Sequence, residues 1–110
     1  MKMRFIRYRD GENTLNVRPV SRLLGISDTV DDEIQLFFKA DTNDPDDVDY
    51  VDLSVTNENE TAVIERIVEE INFSKNPIIL VADDHTSEYI HSDIDEVVAI
   101  ANASDANPAP

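Results

Sequence analysis

Apolar and polar residues alternate most cleanly over residues 33–40, where Glu33, Gln35 and Lys39 interleave with Ile34, Leu36, Phe38 and Ala40. A period of two predicts a strand with one wet and one buried face. Phe37 breaks the pattern by placing an aromatic ring on the polar side. Asp49, Val51, Leu53 and Val55 then alternate with Tyr50, Asp52, Ser54 and Thr56 in a partner strand. The link 41–47 is rich in turn formers, so the two strands predict a hairpin. Over 57–73 the period changes. Val63, Ile64, Ile67, Val68 and Ile71 recur at helical spacing, with Glu65, Arg66, Glu69 and Glu70 between them. That stripe predicts an amphipathic helix over about 58–73, capped at its start by Asn57 or Asn59 and fully buried along its apolar side.

The flanks are less regular. Residues 3–8 read as a first strand, with Asp10-Gly11 as a turn signal behind it, and 14–17 as a second. Pro19 predicts a bend or a sheet edge. Residues 20–26 fit a helical turn as well as a strand and are read as a strand that stops at the polar stretch 27–32. Asn76-Pro77 ends the helical segment, and the β-branched run 78–82 predicts a central strand. Residues 89–91 and 94–101 read as two short strands joined by Ser92-Asp93, with a helix capped by Ser92 as the alternative for 92–101. The whole predicts an α+β fold: a mainly antiparallel β-sheet of several short strands with one amphipathic helix packed on it. The expected organisation is a single domain over 1–101 and a flexible tail over 102–110, which has no apolar anchor.

Composition narrows the function classes. The chain has 110 residues, 41% of them apolar, enough for one core. It has no cysteine, which excludes disulfides and thiolate chemistry. The longest apolar run, 78–82, is too short to span a bilayer, and the N-terminus lacks a secretory apolar core, so a soluble protein made inside a cell is expected. A net charge of −15 disfavours naked nucleic acid as the main partner.

Charge is split along the chain. Residues 1–25 hold Lys2, Arg4, Arg7, Arg9, Arg18 and Arg22 against two acids, a balance of +4; residues 26–110 hold three bases against 22 acids, a balance of −19. The basic group has three readings: pairing with acids of its own domain, docking on an acidic patch of a neighbouring copy, or contact with nucleic acid. The second makes Lys2, Arg4, Arg7, Arg9, Arg18 and Arg22 candidate partner-binding residues.

Other candidate chemistry is sparse. The loop 41–47 offers Asp41, Asn43, Asp44, Asp46 and Asp47, oxygen donors that Ca²⁺ prefers, without the glycine and terminal Glu of an EF-hand. Asp83, Asp84, His85, Glu88 and His91 cluster after the central strand, yet the two histidines sit at no recognised ligand spacing. Two glycines cannot build a phosphate-cradling loop, and no nucleophile triad stands out. The expectation is a protein that is not an enzyme and uses no cofactor.

The order of elements carries a resemblance. A short strand and turn, then Leu15-Asn16-Val17-Arg18-Pro19-Val20, a hairpin, the helix TAVIERIVEEI and closing strands resemble small proteins encoded by marine cyanobacterial phages, which open with a similar "LINVDNI" segment. The similarity spans about 3–100; Pro19 and the acidic insert 41–47 depart from it. It implies a virion structural role, a capsid decoration or cement subunit contacting a capsid protein, another virion protein or its own copies, with no membrane and no direct nucleic-acid contact. The alternative is an acidic DNA mimic that inhibits a host DNA-binding protein, against which the basic N-terminus argues.

Overall fold

The structure is a computed structural model, which describes residues 3–12, 14–30, 32–44, 46–56 and 58–102. Its elements are β1 (Phe5–Arg9), β2 (Asn16–Pro19), a 3₁₀ turn (Val20–Arg22), β3 (Leu23–Val30), β4 (Glu33–Lys39), β5 (Val48–Val55), α1 (Glu60–Phe73), β6 (Ile78–Asp83), β7 (Glu88–Tyr89) and β8 (Ile94–Asn102). The class is α+β, mostly antiparallel strand with one helix, but the strands form two sheets rather than the single one expected. The first has the order β2-β1-β6-β7 and the second β3-β4-β5-β8.

The division follows from three places where consecutive strands do not pair: β2 to β3, β5 to β6 through α1, and β7 to β8. After β2 the chain tightens into the 3₁₀ turn and leaves for the second sheet, so residues 20–26 are turn then strand, not strand throughout. The strand also continues past Ile26 to Val30, because the edge position of β3 lets Asp28 face water. At the other end β7 pairs with β6 while β8 pairs with β5, so the two closing strands lie in different sheets. The stretch 94–102 is strand, which removes the helical alternative. The expectation of a loose tail from 103 onward lies outside the described residues, and Asn102 ends β8.

β4 and β5 behave as their alternation predicts, pairing antiparallel from Glu33↔Ser54 to Lys39↔Val48. Ile34, Leu36, Phe38, Val51, Leu53 and Val55 from that hairpin meet Ile6, Tyr8, Ile79 and Val81 of the first sheet in one core. Tyr8 and Phe38 stack between the sheets, ring centroids 6.1 Å apart and planes 20° from parallel. Phe37, on the outer face, is opposite Gly25 in β3, and its ring lies where a Gly25 side chain would be: a Cβ there would come within 2.8 Å of Cζ. The ring that broke the pattern thus covers a glycine.

α1 starts at Asn59, and its side chain turns away from a capping role to donate to Asp93 Oδ2 at 2.6 Å. Asn57 lies outside the described residues. Val63 and Ile67 are buried in the core and Ile64 and Ile71 pack against it, but Val68 is exposed, so the apolar stripe is wider than the surface that covers it.

β6 is central in the first sheet and runs parallel to β1, which requires the long crossover through the second sheet and α1. Its register shifts once: Arg7 opposes Leu80 but Tyr8 opposes Ala82. The extra residue, Val81, is a bulge, which lets Val81 and Ala82 both point into the core. It also swings Asp83 onto the face that bears Arg7 and Arg9.

Candidate functional site

Lys2 lies outside the described residues. Arg4 reaches the C-terminal end of α1, where its guanidinium donates to the carbonyls of Ile71, Glu70 (3.1 Å) and Asn76 (3.1 Å). The Ile71 carbonyl belongs to the last turn of α1, where a helix leaves acceptors unpaired at the negative pole of its dipole; Glu70 O also accepts the Ser74 N–H, and Asn76 lies just past the helix. Arg7 donates to Asp83 Oδ2 at 2.9 Å, and Arg9 Nε reaches both Asp83 oxygens at 2.8 Å. Arg18, on β2, bridges to Asp49 on β5 at 3.1 Å and donates to Asn16 Oδ1, tying the two sheets together. Arg22 approaches Asp41 at 3.7 Å in the open. All five described arginines of the group therefore contact their own chain.

Asp83 is the centre of the densest cluster. It is fully buried, and besides the two arginines it accepts the backbone N–H of His85 and Thr86, closing the turn after β6. Burial pushes its carboxyl up, but the hydrogen bonds from Arg9 and Thr86 outweigh that and hold it below its ordinary value of 3.8. Asp84 faces the other way. It accepts the Tyr89 hydroxyl at 2.7 Å and the backbone N–H of Val97 at 3.0 Å. β8 is bulged at Val98, between the Asp52↔Ala99 and Leu53↔Val97 pairs, and Asp84 takes the Val97 N–H beside the bulge. Burial, reinforced by Asp84, pushes the Tyr89 phenol up to about 12.

The metal candidates resolve into local contacts. In the loop after β4, Asp47 accepts from Thr42 at 2.9 Å and Asp44 accepts the Asp46 N–H at 2.9 Å. Pro45 lies outside the described residues. In the second cluster Asp83 and Asp84 are engaged as above, His91 Nδ1 accepts the Asp93 N–H, and His85 and Glu88 are exposed. Among the described residues no three His, Asp or Glu side chains converge as a metal site would need.

A feature the sequence reading missed lies between β3 and α1. Leu23, Leu24, Gly25 and Ile26 on the edge strand and Ile64, Val68 and Ile71 on the helix line an open groove of about 330 Å³. Leu24 is 57% exposed and Val68 42%. Two signals for it were in the chain. Leu23-Leu24 are consecutive in a strand, so one must face outward, and five apolar residues make a wide stripe for a helix of this length. The groove's lining is wholly apolar, and its flanks are charged: Glu65 and Glu69 are exposed on α1 and Asp28 on β3, while at one end Arg22 precedes Leu23 and Arg4 donates to the Ile71 carbonyl. Arg66 is itself paired with Glu70 at 2.9 Å.

Comparison with protein-family models, with curated proteins and with solved structures returns no match to this chain.

Proposed function

We propose that the protein is a non-enzymatic virion structural subunit, a capsid decoration or cement protein, that works by holding another virion protein. The virion assignment rests on the resemblance of the chain to small phage proteins. The observation that carries the contact role is the β3–α1 groove, where Leu24 and Val68 stand open to water along one continuous apolar lining. Contiguous exposed apolar surface of this kind marks sites of interaction with a partner. Arg22, loosely held by Asp41 and 40% exposed along its side chain, is the member of the basic group best placed to help a neighbour dock. Mass spectrometry of purified particles tests the reading. The protein is expected at a stoichiometric copy number, and its absence from particles would remove the virion role.

A second reading gains from one observation. Arg4, Arg7, Arg9 and Arg18 are turned into contacts with their own chain. The basic segment then projects less charge than its sequence suggests, which weakens the objection to an acidic DNA mimic. A mimic competes with duplex DNA for a basic host protein in a salt-sensitive way. No competition at low salt would dispose of it.

A further inference from the structure

We infer that the β3–α1 groove binds a cationic amphipathic segment: a peptide stretch with two or three apolar anchors flanked by lysine or arginine. The inference rests on the contact role proposed above and names the chemistry of the partner. Ile64, Val68 and Ile71 recur at i, i+4 and i+7, giving an apolar strip about two helical turns long. Leu24 and Ile26 face it from the edge strand. That is the floor an amphipathic segment fills with its apolar side.

Charge selects the occupant. Glu65 sits three residues before Val68, so it borders the groove on the helix surface, and Glu69 follows one turn later; both are exposed. Arg4 and Arg22 stand at one end of the groove, Arg4 held by backbone carbonyls and Arg22 beside Asp41, so with Asp28 on β3 the exposed carboxylates leave the remaining rim attractive to bases and repellent to acids. A second copy of this chain would bring the same flanking carboxylates against each other, which like-charge repulsion opposes. An anionic lipid surface is repelled for the same reason. A basic segment satisfies both the apolar floor and the rim.

The test uses the whole chain, labelled with ¹⁵N, and four synthetic peptides: leucine–lysine in helical periodicity, its leucine–glutamate counterpart, a serine–lysine peptide of equal charge, and a leucine–serine peptide. The leucine–lysine peptide is expected to bind best and to shift the amide signals of β3 and α1. The other three should bind at least about tenfold more weakly. Leu24→Ser with Val68→Ser should weaken the leucine–lysine peptide by a similar factor. Glu65→Gln with Glu69→Gln should weaken it less and flatten its salt dependence. Equal binding of serine–lysine, equal binding of leucine–glutamate, or shifts confined to another surface would each overturn the inference, and none of these requires a variant to fold. A dimer by light scattering that dissociates in the serine variant would assign the groove to a second copy instead. Loss of peptide selectivity in a protein still found in particles removes the cationic partner and leaves the virion reading standing.

Discussion

Asp83 shows how much one side chain can organise here. It gathers two arginines and two backbone N–H groups, and it is the fully buried carboxylate that meets both Arg7 and Arg9. Asp83→Asn removes the charge and leaves both cations facing an amide. The expected loss is about 3 kcal/mol, read from urea-denaturation midpoints, as for other broken buried pairs. The pH dependence has a definite sign. Because the folded carboxyl is held below its ordinary value, the pair's contribution is complete above that value and is lost as pH falls through the lower folded one. Wild-type stability should thus fall on acidification below about pH 4, and the Asn variant should show a shallower fall. Tyr89 gives a second residue-scale expectation. Its phenol should titrate near pH 12 by ultraviolet absorbance, and Asp84→Asn should bring it only part of the way back to 10.0, since burial is the larger cause. A raised phenol pKa stabilises the fold below 10.0, and that contribution disappears as pH climbs toward 12.

Among the elements, α1 depends most on a distant residue. Its C-terminal carbonyls are met by Arg4, which is 66 or more positions away in sequence. Arg4→Ala should cost about 1–2 kcal/mol and speed hydrogen exchange in the last turn of α1 more than in β4 or β5. Arg4→Lys should recover only part of the loss, because an ammonium lacks the planar fork that spans three carbonyls. The hairpin of β4 and β5 is the most legible element, since its period of two survives intact. The start of α1 was less so: Asn59 proved to serve Asp93 rather than the helix. The 3₁₀ turn at Val20–Arg22 hides within apolar spacing that suits a strand equally well.

For the molecule as a whole, a net charge of −15 on a chain this small implies considerable self-repulsion. The ion pairs that join β1 to β6 and β2 to β5 are buried at their acidic partner, so salt screens them poorly. The surface repulsion is screened readily. The melting temperature should therefore rise from low salt to about 0.5 M, and a fall would mean that exposed ion pairs dominate stability. The arginine–aspartate contacts also settle where the charge split leads. Opposite ends of the sequence meet in the first sheet, so much of the charge segregated along the chain is mixed in space.

Local order was written in the sequence: the β4–β5 alternation, the helical period of α1, the edge role that Pro19 gives β2 and the central place of β6 all depend on residues within a few positions of one another. What needed the tertiary structure is non-local. The parallel pairing of β1 with β6 and the bulge at Val81 decide that Asp83 meets Arg7 and Arg9, and no period within β6 encodes a register with a strand more than 70 residues earlier. The division into two sheets likewise depends on which partner β8 finds. The groove exists because α1 stops short of covering β3, a matter of how two apolar faces of unequal width dock. Periodicity tells each element which side to bury; only packing decides how much of that side remains open.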